Sequence, residues 1–440
     1  MIGTLKNRSC MIVGGGLFLH IAEAMTRYFG KVYYYNPRWN AEEFLDSKTM
    51  YMGDGLPGVT ACRDFWKTVP GVSLFIFPDI YNGDLQLELV RRGYNVWGSR
   101  YAEDMELDRW HFKQTTLKDA GMPVQPMKRI IGMTKLREYL QENDGKTKYI
   151  KVSATRGDIE SRKHTHYAIS RSWLDELCYK QGPLVDDMEF IIEDPIEAEL
   201  EVGYDGFVVD GLFPTTAVYG VEMKDAGYFG SVMPYADLPE PLLYTNAKLA
   251  NVLKQYKYRG FYSNEIRVGK DGKFYYLDPT CRAGSPPSQV MMELFSNWGE
   301  MMYAGAQGAL IAPKPVAKYG ILAFIYSERC DKEWCAYKYP DKWAQWYKFS
   351  YSYVIDGVRY TGPQFSGMSA MGSIVAVDDD PMRCIEKLKD YADALEGDCL
   401  DVRLDSVVRA VKEIAECEKE GYDFGKKEVP SVAEVAEMLT

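Results

Sequence analysis

Two carboxylates occur where a predicted hairpin would bring them together. Residues 261–268 and 273–277 have the composition of strands, and a Gly-Lys-Asp-Gly turn joins them. Glu265 is on the first strand and Asp278 directly follows the second, with Thr280 and Arg282 beyond it. Carboxylates bind hard cations such as Mg²⁺, and arginine forks onto phosphate. The pattern therefore predicts a place for Mg²⁺ and nucleotide phosphates, and it is equally consistent with a surface hairpin carrying two solvated acids.

A second candidate group is basic. The strand predicted at 148–153 carries Lys148 and Lys151, and the small and basic loop after it contains Arg156. A lysine on a fixed strand is a point charge at defined reach, which suits it to bind the α- and β-phosphates of a nucleotide. The strand and its loop therefore predict a phosphate-binding segment.

The N-terminal elements that surround these residues alternate between strand and helix. A buried strand at 10–13, a Gly-Gly-Gly turn, a helix at 17–29 and a strand at 31–35 form a parallel βαβ unit. The turn lacks the Gly-x-Gly-x-x-Gly spacing, and Asn36 stands where an NAD site needs an acid. We therefore expect a tight strand-to-helix turn, and a role as the wall of a small-substrate pocket stays open.

An open α/β layer continues from this unit to about residue 120. A strand at 73–77 ends at Pro78-Asp79, a helix follows at 85–92, and a longer helix is predicted from 103 to 120. Beyond it, the strands are predicted to be antiparallel. They comprise 189–193, 196–203, 205–210, 212–219, 320–326 and 372–377, and the helices that accompany them comprise 245–256, 287–308, a helix from Asp380-Pro381 and an amphipathic helix at 404–415.

Composition excludes several classes of protein. Hydrophobic residues make up 46% of the 440 residues and charged residues 26%, as in a globular protein, and the net charge of −11 argues against a general nucleic-acid binder. No run approaches the ~18 apolar residues that cross a bilayer, and the N-terminus does not have the pattern of a signal peptide. Nine cysteines without a Cys-x-x-Cys pair predict a reducing cytoplasm and no zinc site. His164 and His166 fit a half-exposed strand pair better than a metal pair.

A family resemblance rests on the hairpin. Glu265 followed by Asp-x-Thr-x-Arg resembles the metal-binding end of the ATP-grasp ligases, which have Glu-x-Asn-x-Arg there. Residues 281–286, Cys-Arg-Ala-Gly-Ser-Pro, with Gln289 and Leu294, resemble more narrowly the phosphoribosylamine–glycine ligase family, which has Asn-Cys-Arg-x-Gly-Asp-Pro followed by Gln. The likeness extends, with gaps, to about residue 400.

The resemblance implies roles for individual residues. Glu265 and Asp278 would hold Mg²⁺, with Thr280 as a weaker ligand, and Arg282 would bind the γ-phosphate or an acyl phosphate. Glu106, Arg109 and Lys113 fall at the family's Glu-x-x-Lys-x-x-x-Lys, and Asp79 stands where the family has Glu. The remaining implied residues are Lys113, Lys151 and Arg156 at the phosphates, Glu193, Glu199 and Glu201 at adenosine, and Gly284, Ser285 and Asp79 at the substrates.

The resemblance also implies an architecture of mixed α/β and α+β class. An N-terminal open parallel α/β domain is expected at 1–105 and an ATP-grasp domain at 106–310, whose two α+β subdomains enclose ATP. Its mobile lid is expected at about 125–195, and a small β-rich C-terminal domain is expected at 311–425, followed by a tail at 426–440.

The implied activity is an ATP-dependent carboxylate–amine ligase that forms an amide through an acyl phosphate. ATP and Mg²⁺ are the expected cofactors, small carboxylates and amines the expected partners, and a monomer or homodimer the expected state; we expect no membrane contact and find no direct evidence for nucleic acid. Three alternatives stay open: a ligase for a different amine such as a modified nucleotide or peptide, a nucleotide-binding homologue without chemistry, and an NAD-dependent oxidoreductase. The chain departs from the family pattern at three places: Thr280 replaces Asn, Asp278 replaces Glu, and Ser285-Pro286-Pro287 replaces Asp-Pro-Glu.

Overall fold

The fold is described from a computed structural model of the chain. The structure describes residues 4–37, 42–44, 48–154, 161–330, 332–363, 370–424 and 430–439. Within these ranges every helix is too short or too polar to cross a bilayer. The side chains pack into several buried clusters, the two largest of which lie on opposite faces of one large antiparallel sheet.

The N-terminal region is a five-stranded parallel sheet, as the βαβ pattern predicts. Its central strand Ser9–Val13 is buried along its whole length, which fits a strand covered on both faces. The glycine turn after it is packed by tyrosines, because Gly16 N–H donates to Tyr34 Oη at 2.8 Å and Tyr351 N–H donates to Gly16 O at 3.1 Å. This packing supports the tight-turn interpretation. In spatial order the strands are Val59–Ala61, Lys31–Tyr35, Ser9–Val13, Leu74–Ile76 and Val96–Trp97, and the helices are Leu19–Met25, Phe65–Thr68 and Gly83–Arg91.

A four-stranded antiparallel sheet with two helices on one face occupies the expected lid. Its buried core includes Ile150 and Phe190 from two of its strands and Trp173 from one of its helices. In order, its strands are Ser161–His164, Lys148–Val152, Glu189–Glu193 and Met127–Ile131, and its helices are Met133–Glu142 and Tyr167–Gln181. His166 lies beyond the strand that ends at His164, so the expected strand pair of histidines is wrong.

A large antiparallel sheet forms the rest of the scaffold. The strands predicted at 196–203 and 205–210 form one continuous strand of twelve residues, Ala198–Val209. In order, the sheet consists of Phe274–Thr280, Arg259–Gly269, Ala198–Val209, Thr216–Met223, Gly227–Pro234, Tyr319–Ser327, Ala370–Asp378 and Tyr347–Phe349, and Leu400–Val402 pairs with Tyr319–Ser327. Because Gly227–Pro234 pairs directly with Tyr319–Ser327, the sheet runs across the boundary expected near residue 310, and the domain division stays a prediction.

Two of the helices predicted beside this sheet are interrupted, whereas Glu240–Gln255 and Asp405–Lys419 are longer than predicted. The region expected as one helix at 103–120 contains Asp104–Leu107 and Arg109–His111, separated at Asp108, and then a wide π-helical turn at Phe112–Thr116. The region expected as a helix at 287–308 contains Ser288–Leu294 and Trp298–Ala306. The other helices are Leu117–Asp119, Glu240–Gln255, Pro381–Asp393, Asp405–Lys419 and Val432–Leu439, and a smaller sheet consists of Ser352–Ile355, Val358–Thr361, Cys335–Lys338 and Glu396–Gly397, with Glu42–Phe44 and Lys48–Met50 forming a hairpin.

Candidate functional site

A cavity of about 620 Å³ opens on the large sheet. Its floor comes from Ala198–Val209, Thr216–Met223 and Arg259–Gly269, and one wall comes from residues 278–287. Helix Asp405–Lys419 contributes a second wall. A volume of this size lies within the range of small-molecule sites.

Glycines in the middle of this floor make room for the ring of Tyr228. Gly203 pairs with Gly220 on one neighbouring strand and with Glu265 on the other. A Cβ at Gly220 would lie 2.0 Å from the hydroxyl of Tyr228, so the ring of Tyr228 lies over this glycine. Tyr228 Oη then donates to Asp205 at 2.6 Å. The two paired glycines therefore leave room for the ring of Tyr228 between the acids that surround them.

The acidic side chains of the cavity lie close enough to raise one another's pKa. Glu265 is exposed to the cavity but lies deep in the cleft, and this enclosure raises its pKa to about 8, with further contributions from Glu201 and Asp278. Enclosure in the cleft raises the pKa of Glu222 well above its ordinary value, and the nearby charge of Glu265 raises it further. Burial raises the pKa of Asp205 to about 6. The cavity therefore favours a bound positive charge.

The hairpin places Glu265 on the floor and Asp278 on the wall of the same cavity. Its strands are longer than predicted, and Asp278 lies within the second strand instead of after it. The pairing shifts between Asn264 and Ile266, so that Leu277 and Asp278 together lie opposite Glu265. This bulge inserts one extra residue, and Asp278 and Thr280 thereby line the cavity together with Glu265.

Three cations hold Asp278. Arg109 Nη1 lies 2.7 Å from Asp278 Oδ1, Lys151 Nζ donates to Oδ2, and Lys113 Nζ is 4.0 Å from Oδ1. Burial opposes ionisation of this carboxyl, but the three positive charges hold its pKa well below the usual range. Since Lys151 belongs to the lid sheet and Asp278 to the large sheet, this contact joins the two sheets at the edge of the cavity.

Glu193, at the end of its lid strand, completes the charged cluster. Lys113 Nζ donates to its Oε1 at 2.5 Å, and Gln125 Nε2 donates to Oε2 at 2.7 Å, with Lys151 Nζ 3.4 Å from Oε2. The side chains of Lys113 and Glu193 are only 1% and 4% exposed. Both oxygens of Glu193 are therefore bound by side chains, and the lysines expected at phosphates are bound to carboxylates.

The Arg282 loop is fixed from two directions. Cys281 N–H donates to Glu106 Oε1, and Arg282 Nε lies 3.4 Å from Glu106 Oε2. Ala283 N–H donates to the carbonyl of Pro78 at 2.8 Å, which places the loop beside Asp79. The N-terminal sheet, the helical segment after it and the large sheet therefore meet at Arg282.

The donor set fits a divalent cation that is bound together with a phosphate. Glu265, Asp278 and Thr280 offer oxygen atoms to one cavity, which is the ligand type that Mg²⁺ prefers. Within the described ranges, His, Cys, Asp and Glu do not form a group of three or more that could hold a metal unaided. Water and phosphate oxygens would have to complete the coordination, as is usual for Mg²⁺.

No family model matches the chain, and no curated protein matches it by sequence. Solved structures do match. Phosphoribosylamine–glycine ligase from Thermotoga maritima aligns at 15% identity over 90% of this chain and 99% of its own, with a TM-score of 0.67. The biotin carboxylase domain of Hydrogenobacter thermophilus 2-oxoglutarate carboxylase, a dimer solved with MgADP, ADP and bicarbonate, aligns at 11% identity over 96% and 99%, with a TM-score of 0.59. L-amino acid ligase from Bacillus licheniformis aligns at 13% identity over 89% and 98%, with a TM-score of 0.56.

The chain has an ATP-grasp fold. This confirms the predicted mixture of α/β and α+β structure. Of the predicted site residues, the structure gathers seven around one cavity: Glu201, Glu265, Asp278, Thr280, Arg282, Gly284 and Ser285. Lys113, Lys151 and Glu193 form the adjoining charged cluster. Arg156 and the side chain of Glu199 lie outside the described residues.

Sequence reasoning missed several residues of the candidate site. Asp205 and Glu222 line the cavity because their strands pair beside Gly203, and Gln125 binds Glu193 across 68 residues of sequence. Arg267 is bound to Glu201, with Nε 2.8 Å from Oε2. The alternation of acids along 201–205 was the one available signal, and it does not show which strands lie next to each other.

Proposed function

We propose that the chain is an ATP-dependent carboxylate–amine ligase that forms an amide and releases ADP and phosphate. The observation that carries the proposal is that Glu265, Asp278 and Arg282 line one cavity in an ATP-grasp fold, with Lys151 bound to Asp278 at its edge. A carboxylate is a poor acyl donor until its oxygen becomes a leaving group, and transfer of the γ-phosphoryl group from ATP supplies one. The amine then attacks the acyl phosphate, the C–N bond forms and phosphate leaves.

The lysines bind the nucleotide in this proposal. Lys113 and Lys151 are fixed cations at the junction of the lid and the large sheet, where they would exchange their present carboxylate partners for phosphate oxygens. Phosphoryl transfer depends chiefly on positioning and charge neutralisation, which fixed cations supply. The nucleotide phosphates would therefore lie between the lid and the hairpin.

Arg282 would stabilise the transferring phosphoryl group. Its guanidinium is fixed by Glu106 and by a 2.8 Å hydrogen bond from Nη1 to the carbonyl of Ala283, so little reorganisation is needed when charge develops. Glu265, Asp278 and Thr280 would hold Mg²⁺, which supplies charge neutralisation at the phosphate oxygens. Gly284 permits close backbone approach of a substrate.

A phosphoribosylamine–glycine ligase-like substrate pair is our first candidate, because the similar fold extends over 90% of the chain and the 281–286 segment resembles that family. A different amine is the second candidate. Ser285-Pro286-Pro287 lacks the two acids of the family segment, and an L-amino acid ligase has a similar fold. A panel of acids and amines distinguishes the two.

The test is phosphate and ADP release from ATP and Mg²⁺ with glycine, other amino acids, phosphoribosylamine and peptide amines. We expect release that requires both an acid and an amine, and a loss of about 100-fold or more in Glu265→Gln. Glu88→Gln, in an exposed pair with Arg92, is the matched control and should retain full activity. Nucleotide binding without release for any pair would identify a homologue without chemistry, and absence of nucleotide binding would refute the proposal.

A further inference from the structure

The short helical segment 104–111 contacts both ends of the segment 278–282. Arg109 Nη1 donates to Asp278 Oδ1 at 2.7 Å. Glu106, three residues earlier, accepts from the Cys281 N–H and lies 3.4 Å from Arg282 Nε. Glu106 is 4% exposed and Arg109 is 2% exposed. Residues 104–111 thus place a positive charge beside Asp278 and a negative charge beside Arg282.

The local sequence explains how both side chains reach the same segment. Helix Asp104–Leu107 ends at Asp108, whose backbone leaves the helical region at φ −99° and ψ 70°. The carboxylate of Asp108 accepts from His111 N–H at 3.0 Å and caps the next turn, Arg109–His111. Glu106 and Arg109 therefore lie on either side of the break at Asp108, and the capped turn after it carries Arg109 beside Asp278 while Glu106 stays beside Cys281.

These contacts matter for a different reason at each residue: Asp278 would lose a partner when phosphate binds, and Arg282 is a flexible side chain that must be held in place. Lys151 of the lid also binds Asp278. If Lys151 moved to bind phosphate, Arg109 would still hold Asp278. Arg282 is a long side chain whose rotamer freedom is lost when Glu106 and the carbonyl of Ala283 bind it. Removing either contact would loosen one end of the segment and leave the other in place.

We propose that Glu106 and Arg109 are positioning residues that set the geometry of Arg282 and Asp278, respectively. The predicted effect of these residues on the rate rests on the proposed function. Their predicted effect on the mobility of residues 278–282 rests on the contacts alone. Glu106 performs two separable tasks: its Oε1 fixes the backbone at Cys281, and its charge orients the guanidinium of Arg282. Arg109 holds the carboxylate of Asp278 when Lys113 and Lys151 bind phosphate.

Three variants separate these tasks. Glu106→Gln keeps an oxygen for the Cys281 N–H and removes the charge, Glu106→Met removes both, and Arg109→Met releases Asp278. Hydrogen exchange of the peptide that contains Cys281 should stay slow in Glu106→Gln and become at least about 10-fold faster in Glu106→Met. Glu88→Gln and Arg92→Met, from the exposed pair, are the controls and should leave this exchange unchanged.

Kinetics supply the second readout. Both Glu106 variants should lower kcat about 10- to 100-fold with little change in the KM for ATP, and Arg109→Met should raise the Mg²⁺ concentration needed for half-maximal activity by a similar factor. Unchanged exchange in Glu106→Met, or an Arg109→Met enzyme with the Mg²⁺ dependence of the parent, would overturn the inference. Faster exchange in a chain that never turns over ATP would support the positioning contact and refute the ligase proposal.

Discussion

Removing the charge of Lys113 should destabilise the fold by about 3 kcal/mol. Lys113 and Glu193 are almost fully buried, and their Nζ and Oε1 atoms are 2.5 Å apart. Breaking a buried ion pair by removing one partner costs about 3–5 kcal/mol. After Lys113→Met, Glu193 keeps Lys151 at 3.4 Å and Gln125 at 2.7 Å, so the lower end of that range applies.

The reverse change should cost more. After Glu193→Met, the carboxylate nearest to Lys113 is Asp278 at 4.0 Å, so a cost of about 5 kcal/mol is expected. The double variant removes both charges and should be less destabilised than the sum of the singles by at least about 2 kcal/mol. Urea unfolding followed by circular dichroism measures all three free energies.

The exposed pair Arg92–Glu88 provides the control for this cycle. Its Nε and Oε1 atoms are 2.7 Å apart and both side chains are largely exposed, so Arg92→Met should cost less than about 1 kcal/mol. Single variants at Lys113 and Glu193 that each cost less than 1 kcal/mol, or that add without coupling, would refute the electrostatic account of the cluster.

Two further predictions concern the cavity floor. Burial raises the pKa of Asp205 to about 6, so the stability this gives is present below the ordinary pKa and is lost as the pH rises through 6. Asp205→Asn should therefore gain about 2 kcal/mol relative to the parent between pH 4.5 and 7.5 in chemical unfolding, and a difference independent of pH would contradict this. Gly220→Ala places a Cβ 2.0 Å from Tyr228 Oη and should cost about 1–3 kcal/mol in thermal unfolding. Gly71→Ala, which meets nothing within 4 Å, is its control, and equal effects of the two would exclude the steric explanation.

The hairpin was predictable because its signals are local. Alternating apolar residues and the Gly-Lys-Asp-Gly turn specify two strands, and Gly272 has the positive φ of 73° that such a turn needs. The bulge opposite Glu265 was not predictable, because it depends on how residues 277 and 278 pack against a neighbouring strand. The position of Asp278 in the strand, and its contact with Arg109, follow from that packing.

The charged cluster shows where sequence reasoning stops. The resemblance identified Lys113, Lys151 and Glu193 as members of one site, but it assigned them to a nucleotide. Their mutual pairing depends on strands and helices that are 80 residues apart along the chain. The break at Asp108 and the π-helical turn that carries Lys113 were also missed, since helix propensity over 103–120 favours one uninterrupted helix.

The shared sheet has a consequence for experiments on fragments. A chain cut near residue 310 would lose the strand Tyr319–Ser327 and leave residues 227–231 of the strand Gly227–Pro234 without their partners on one side. This unpaired edge would lie on a buried strand of eight residues, which favours pairing with other molecules and precipitation. Work on the cavity alone therefore requires the C-terminal part of the chain, which supplies these strands and the helix Asp405–Lys419 in the cavity wall.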